Sequence, residues 1–317
     1  MTPVGVPSNG SVVTVGTFDG VHLGHRAVLD EIARRAKVAG RASVLVTFEP
    51  HPLEVVNPGA APLRLTTREE RLECLAMSEL DRVVELRFDR TMATMAPEQF
   101  VDDVLLKHCG MRELVIGHDH GFGRGRRGDV DTLRRLGETR GFPVDVVAPV
   151  RAEGGMSVSS TAIRRAVAGG DLEHATRWLG RPYAVSAEVE PGVSRGRILG
   201  FPTLNLRIAP RKLLPPDGVY AVIVDTPLGR FGGMMNQGHR PTFDDGRHGL
   251  EVHLFGFEGD LYHRWVRVTW VAPLREIRRF DGVTALQQQL LADRLLALAT
   301  LAAANPDLDA PLTAPES

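Results

Sequence analysis

The chain has 317 residues, 43% of them hydrophobic and 24% charged, with a formal net charge of -1 at pH 7. That length suggests two domains, and the composition suits a soluble globular fold with a large core. The near-neutral charge excludes a general attraction to nucleic acid or anionic membrane, and Cys74 and Cys109 belong to no CxxC pair, which argues against a disulfide framework or a Cys-rich zinc site.

In chain order, residues 11–15 (SVVTV) predict a buried strand that ends at Gly16. Val28, Leu29, Ile32, Ala33 and Ala36 then recur at helical spacing. Residues 39–41 (AGR) stop that helix, and residues 43–48 (SVLVTF) predict the next strand, completing a β–α–β unit with parallel strands. The alternation continues with helices over 66–78, 96–110 and 130–141, strands over 82–88, 113–117 and 143–150, and one or two helices over 159–180. Residues 1–181 therefore read as a doubly wound α/β domain. After residues 180–183 (GRPY), short β-type runs separated by Gly and Pro turns predict an antiparallel barrel of about six strands. A closing helix over 282–304 completes this second domain, 182–304, and the Pro- and Ala-rich tail 305–317 is expected to be disordered. No apolar stretch approaches the roughly 20 residues of a membrane span, and residues 1–10 show no basic segment leading into an apolar run. A cytoplasmic protein is expected, since sparse cysteine fits a reducing compartment.

The loop GTFDGVHLGH (16–25) leaves the first strand where open α/β sheets bind ligands, beyond the carboxyl ends of the strands. Gly16, Gly20 and Gly24 allow close backbone approach, and the following helix points its free N–H groups to the same place, which makes an anion site. His22 and His25 are three apart and share a helix face, where imidazoles can donate hydrogen bonds to phosphate. Solvated surface histidines are the alternative; a metal site is weaker, because HxxH lacks a third ligand. A second motif, SSTAIRR (159–165), offers Ser160 and Thr161 as helix caps and places Arg164 and Arg165 in the first turns. Arginine there opposes the helix dipole and so points to an anionic ligand.

Together these motifs resemble the HxGH and STxxR pair of the nucleotidylyltransferase superfamily. With TFEPHP (47–52) and GHDHGFGRGRRGD (117–129), they are similar to the adenylyltransferase module of prokaryotic bifunctional FAD synthetases. The resemblance implies that His22, His25 and Arg164 stabilise the transition state and that Gly16, Phe18, Asp19, Gly24, Ser160 and Thr161 bind ATP. It implies that Phe48, His51, Asp119 and Phe122 line a flavin site. His118 and His120 depart from the family's commoner residues beside Asp119. Read alone, the basic loop 121–129 could touch RNA, but it lacks an aromatic platform beyond Phe122, and a loop over a nucleotide is the better reading.

In the second half, GVSRGRILGFPTLNL (192–206) joins three glycines and two arginines to Thr203 and Asn205, whose hydroxyl and amide oxygens suit Mg²⁺ shared with phosphates. The alternation of Leu250, Val252 and Leu254 turns Glu251 and His253 to the opposite strand face, so Glu251 is either a solvent-facing carboxylate or a general base. GRILGFPTLNL, PPDGVYAV, NQGHRPTF and LEVHLFGFEGDLY resemble the riboflavin kinase barrel in order and spacing. That resemblance implies ATP binding by Gly192, Arg195, Gly196 and Gly200, Mg²⁺ on Thr203 and Asn205, and Glu251 as the base for the riboflavin 5′-hydroxyl. The expected protein is a bifunctional enzyme that makes FMN from riboflavin and ATP, then FAD from FMN and ATP. Its partners are small molecules, with no nucleic acid or membrane, and it acts as a monomer or weak homo-oligomer. Two alternatives stay open at this point: a single surviving activity, the kinase before the other, or a flavin-binding regulator without chemistry.

Overall fold

The structure, a computed structural model, describes residues 7–118, 129–152, 154–192, 196, 199–239 and 248–304. Asp119, Phe122, Arg195 and the tail 305–317 lie outside the described residues. The chain divides into two compact units: Met1–Ile163 with Trp178–Gly180, and Arg164–Arg177 with Arg181–Ser317.

In the first unit, β1 (Ser11–Val15), β2 (Ala42–Glu49), β3 (Arg82–Arg87), β4 (Met111–Gly117) and β5 (Val144–Val147) form one sheet in the order β3-β2-β1-β4-β5. Every pairing in it is parallel. The order reverses direction between β1 and β4, which is where such sheets open a ligand crevice. Alternation along β1 explains how both faces are covered. Val12 packs with Val28, Leu29, Ile32 and Ala36 of α1 (Leu23–Ala39) on one side. Val13 and Val15 join Phe100, Leu105 and Leu133 on the other. Gly40, at φ 60°, ends α1 in the left-handed conformation that glycine adopts without strain.

Two short helices, α2 (Pro52–Val56) and α4 (Arg90–Thr94), have too few residues to show a period and escape sequence reading. The expected helix over 66–78 is α3 (Arg68–Ala76), started by a Thr67–Glu70 capping box. The expected helix over 96–110 begins as α5 (Pro97–Gln99) but is π-wound over Phe100–His108. Its buried residues, Phe100, Val101, Val104 and Leu105, are spaced in a way that nine residues cannot assign to one winding. After α6 (Val130–Arg140), α7 (Ser160–Ala168) starts in the first unit and ends in the second, and α8 (Leu172–Leu179) does the reverse.

In the second unit, β6 (Ala184–Glu190), β7 (Leu204–Arg207), β8 (Gly218–Thr226), β9 (Gly229–His239), β10 (His248–Leu254) and β11 (Trp265–Arg275) close into a barrel in the order β10-β7-β6-β11-β8-β9. The pairings are antiparallel throughout. The core includes Val185, Leu250, Val252, Val268 and Trp270, all buried. Gln237 is fully buried among them and satisfied at both ends: it accepts from Trp270 Nε1 at 3.1 Å and donates to the Pro215 carbonyl at 2.5 Å. That pairing is what makes a polar side chain tolerable there. The C-terminal helix, α9 (Val283–Ala304), packs Ala297 and Leu301 with Ala221, Ile223, Met234 and Phe255.

Both cysteines are buried and unbridged, and burial pushes the Cys109 thiol up to about 11. Because the thiolate is the nucleophile, Cys109 should resist alkylation by iodoacetamide at pH 8 in folded protein and react only after denaturation. Mass spectrometry of native and denatured samples checks this.

Candidate functional site

The first cluster of functional side chains grows from the end of β1. Gly16 N–H donates to the Val46 carbonyl, and Thr47 Oγ1 and Arg71 Nη1 both donate to the Thr17 carbonyl at 3.3 Å. The chain then passes through left-handed backbone at Phe18 (φ 49°) and Val21 (φ 38°). Such a conformation costs about 1–2 kcal/mol per residue outside glycine, whereas each fully buried Leu or Ile contributes about 1.5–3 kcal/mol. The sheet core therefore tolerates the strained loop. His22 is the N-cap of α1: its Nδ1 accepts from the His25 backbone N–H at 3.3 Å. That bond leaves Nε2 as the protonated, donating nitrogen of a neutral His22.

The His22 and His25 rings stack with centroids 3.7 Å apart, and Phe18 backs His25 at 4.6 Å. His22 is only 5% exposed, so it is no surface decoration. Gly24 between them is tightly packed: a Cβ there would lie 3.1 Å from His22 Cε1 and 3.3 Å from the Val158 carbonyl. The two imidazoles thus form one rigid donor pair at the N-terminus of a 17-residue helix.

The SSTAIRR segment is capped one residue earlier than its sequence suggests. Ser159 Oγ accepts from Ala162 N–H, while Ser160 and Thr161 are the first helical residues of α7. Ser160 instead donates to the Asp19 carbonyl at 2.9 Å, tying the second motif to the first. Arg164 follows Ser160 by one helical turn. Of the flavin candidates, Phe48 is buried against Phe88 and Phe100, and His51 caps α2 by accepting from Leu53 N–H. Sequence reading missed an ion cluster under the loop, in which Arg71 bridges Glu49 and Glu85 and Arg64 bridges Glu49 and Glu54. Its members lie far apart along the chain, and no local spacing marks them.

The second cluster lies on the barrel wall. Glu251 is paired across the sheet with Asn205 on one side and Asn236 on the other, so the three side chains share one face. Leu250, Val252 and Leu254 are buried on the opposite face, as their alternation requires. A cavity of about 330 Å³ opens on the Glu251 side, lined by Gly196, Thr203, Asn236, Glu251, His253 and Met234 and by Ile277, Phe280, Leu286 and Leu290 from the C-terminal segment. Burial lowers the His253 pKa, and its Nδ1 donates to the Pro202 carbonyl at 2.8 Å. Thus His253 joins the Glu251 strand to the segment carrying Thr203.

Gly192 and Gly196 are close-approach positions. A Cβ at Gly192 would lie 1.9 Å from Asn205 Nδ2, and one at Gly196 would lie 2.2 Å from the Phe201 carbonyl oxygen. Arg275 and Asp293 also line the cavity, joined by a bidentate pair in which Arg275 Nε and Nη2 donate to the carboxylate at 2.9 and 2.8 Å. Sequence reading passed over them, although a lone Asp within the apolar helix 283–304 was a usable signal. Asp293 is 2% exposed, and Asp293→Ala would remove the carboxylate paired with Arg275, leaving the arginine its bond to the Glu276 carbonyl. Removing one partner of a buried pair costs about 3–5 kcal/mol; urea unfolding should register a loss near that size in the barrel unit.

Known proteins share both halves. The FAD synthetase family matches residues 6–162, and the riboflavin kinase family matches residues 179–301. The bifunctional riboflavin kinase/FMN adenylyltransferase of Escherichia coli (strain K12) is 39% identical over 92% of this chain and 93% of its own length. The chain belongs to the bifunctional riboflavin kinase/FMN adenylyltransferase family. The Pseudomonas fluorescens relative of the same name is 41% identical over 90% of this chain and 91% of that protein. A crystal structure titled as a macrolide-efflux protein from Streptococcus pneumoniae shares the fold at a TM-score of 0.80, with 30% identity over 92% of this chain and 95% of that one. Among the described residues no helix is long and apolar enough to cross a membrane.

As a bifunctional riboflavin kinase/FMN adenylyltransferase, the protein is an enzyme with riboflavin, FMN, ATP and FAD as substrates and products. The expected fold is borne out: a parallel α/β sheet with the HxGH loop at its carboxyl edge, then a closed six-stranded antiparallel barrel with a C-terminal helix. The presence of both families in this order answers the single-activity and regulator alternatives.

Proposed function

We propose that the chain carries two reactions on two sets of residues, with residues 1–181, including Arg164, as the adenylyltransferase and 182–304 as the kinase. What carries this division is that the reactive sets lie on different units: the stacked His22–His25 pair in the first, Glu251 with Thr203 in the second. In the barrel, the Glu251 carboxylate takes the proton of the riboflavin 5′-hydroxyl as its oxygen attacks the γ-phosphorus of ATP, and ADP leaves. In the α/β unit, an FMN phosphate oxygen attacks the α-phosphorus of ATP and pyrophosphate leaves. That nucleophile is already ionised at pH 7, so the unit supplies alignment and hydrogen-bond donors rather than a base. His22 and His25 donate to the charge developing on the α-phosphate, and the STxxR motif assigns Arg164 the same task. The resemblance assigns FMN to the carboxyl end of β2, near Phe48 in the strand and His51 just after it; it also names Asp119 and Phe122, which lie outside the described residues.

Thr203 and Asn205 suit Mg²⁺. Both offer oxygen donors, and Gly192 lets the Asn205 amide sit where a Cβ would collide with it. Mg²⁺ usually takes one or two protein ligands and finishes its shell with phosphates and water, so no dedicated cage is needed. Bound there, the ion would neutralise ATP phosphate charge. Gly192→Ala should displace the Asn205 amide and lower riboflavin phosphorylation by about 10-fold or more, since a 1 Å misplacement can cost about 100-fold. The Mg²⁺ concentration for half-maximal kinase activity should rise, with adenylylation of supplied FMN unchanged. We place the enzyme in the cytoplasm, as a monomer or weak homo-oligomer that does not use nucleic acid; the net charge of -1 supports the last point and the low cysteine content the first. Incubation with riboflavin, ATP and Mg²⁺ should yield FMN and then FAD on chromatography; unchanged riboflavin would overturn the reading.

A further inference from the structure

We infer that Asp19 is a positioning residue that holds the HxGH loop in its strained shape, and not a nucleotide contact. This rests on the assignment of His22 and His25 to adenylyl transfer. The Asp19 carboxylate is 4% exposed, and three hydrogen bonds from a distant segment converge on it. One oxygen accepts from Leu65 N–H at 3.0 Å. The other accepts from Thr66 N–H at 3.0 Å and from the Thr66 hydroxyl at 3.1 Å. The same hydroxyl oxygen accepts from Gly20 N–H at 3.0 Å. With its one proton given to Asp19 and its lone pair to Gly20, Thr66 closes a ring around the loop. The Asp19 carbonyl accepts from Ser160 Oγ at 2.9 Å. One residue therefore joins three segments: the loop itself, Leu65–Thr66 just before α3, and the start of α7.

The joint stands where strain is concentrated. Phe18 on one side and Val21 on the other have positive φ, and Val21 is β-branched, for which that backbone is a true outlier. Such conformations persist only where surrounding structure over-determines them. Val21 directly precedes His22, so relaxation of the loop would turn the cap and its stacked partner together. A carboxylate is needed, because both of its oxygens must face N–H groups. Asparagine keeps one acceptor but turns an amide N–H toward Leu65 or Thr66 N–H, donor against donor.

The test is Asp19→Asn in the full chain, measured per folded molecule. The kcat for adenylylation of supplied FMN should fall about 100-fold, the scale of a misplaced catalytic group. The KM for ATP should stay within about threefold, since a lost transition-state interaction lowers kcat without raising KM. Riboflavin phosphorylation in the same preparation should be unchanged. Thr66→Val keeps Asp19 and both backbone donors but removes the hydroxyl; it should show the same split with a fall of about 10-fold. It also decides the matter should the first unit of Asp19→Asn fail to fold. A raised KM for ATP at normal kcat, or an unchanged kcat in both variants, would overturn the inference. Full adenylylation by His25→Ala would instead overturn the assignment beneath it.

Discussion

His25→Ala should cut FAD formation sharply while FMN accumulates from riboflavin, ATP and Mg²⁺. The substitution removes one imidazole of the stacked pair but keeps the His25 backbone N–H that His22 Nδ1 accepts, so α1 retains its cap. The loss is therefore of a donor aimed at developing charge, and not of the helix start. Removing one such donor from a preorganised site costs about 10²–10³ in kcat. The stacked geometry adds to this, since His22 loses the ring that fixes its plane 3.7 Å away. The barrel keeps its own residues, so phosphorylation of riboflavin continues. Chromatography of the flavins over time checks it, and FAD at the wild-type rate would remove His25 from the mechanism.

Glu251→Gln should give the opposite phenotype. Glutamine has nearly the same shape and keeps the register that places residue 251 between Asn205 and Asn236. What it cannot do is take up a proton. Loss of a positioned general base typically costs about 10²–10⁴, so riboflavin should persist while supplied FMN is still converted to FAD. Loss of both activities in a folded Glu251→Gln protein would break the two-site assignment.

The fold was legible because its signals are local. Helical spacing from Val28 to Ala36 set α1, and alternation around Leu250 and Val252 put Glu251 on the correct strand face. Gly24 of the HxGH motif was legible for the same reason, since close packing against His22 favours a residue without a side chain. The supports of those residues were not legible. Leu65 and Thr66 reach Asp19 from 46 and 47 positions away, Arg71 reaches Thr17 from 54, and Ser160 reaches Asp19 from 141. Nothing in a sequence window encodes a hydrogen bond across such separations. Ser159 shows a different limit: in a run of Ser-Ser-Thr any of the three can cap, and the backbone decides. The walls of the barrel cavity were missed because Ile277, Phe280, Leu286 and Leu290 look like ordinary packing residues along the chain.

The barrel interior holds Gln237 between Trp270 Nε1 and the Pro215 carbonyl, with hydrogen bonds at both ends of its amide. The cavity uses the other surface of the same strands, and much of its remaining lining comes from residues 275–293, outside the barrel strands apart from Arg275. The shape of the cavity is therefore set largely by a segment outside the strands, whose Asp293 also bears on stability through its pair with Arg275. Substitutions at Ile277, Phe280, Leu286 and Leu290 can reshape what enters while the barrel core stays intact. A library confined to those four positions is the economical route to a kinase with an altered substrate range.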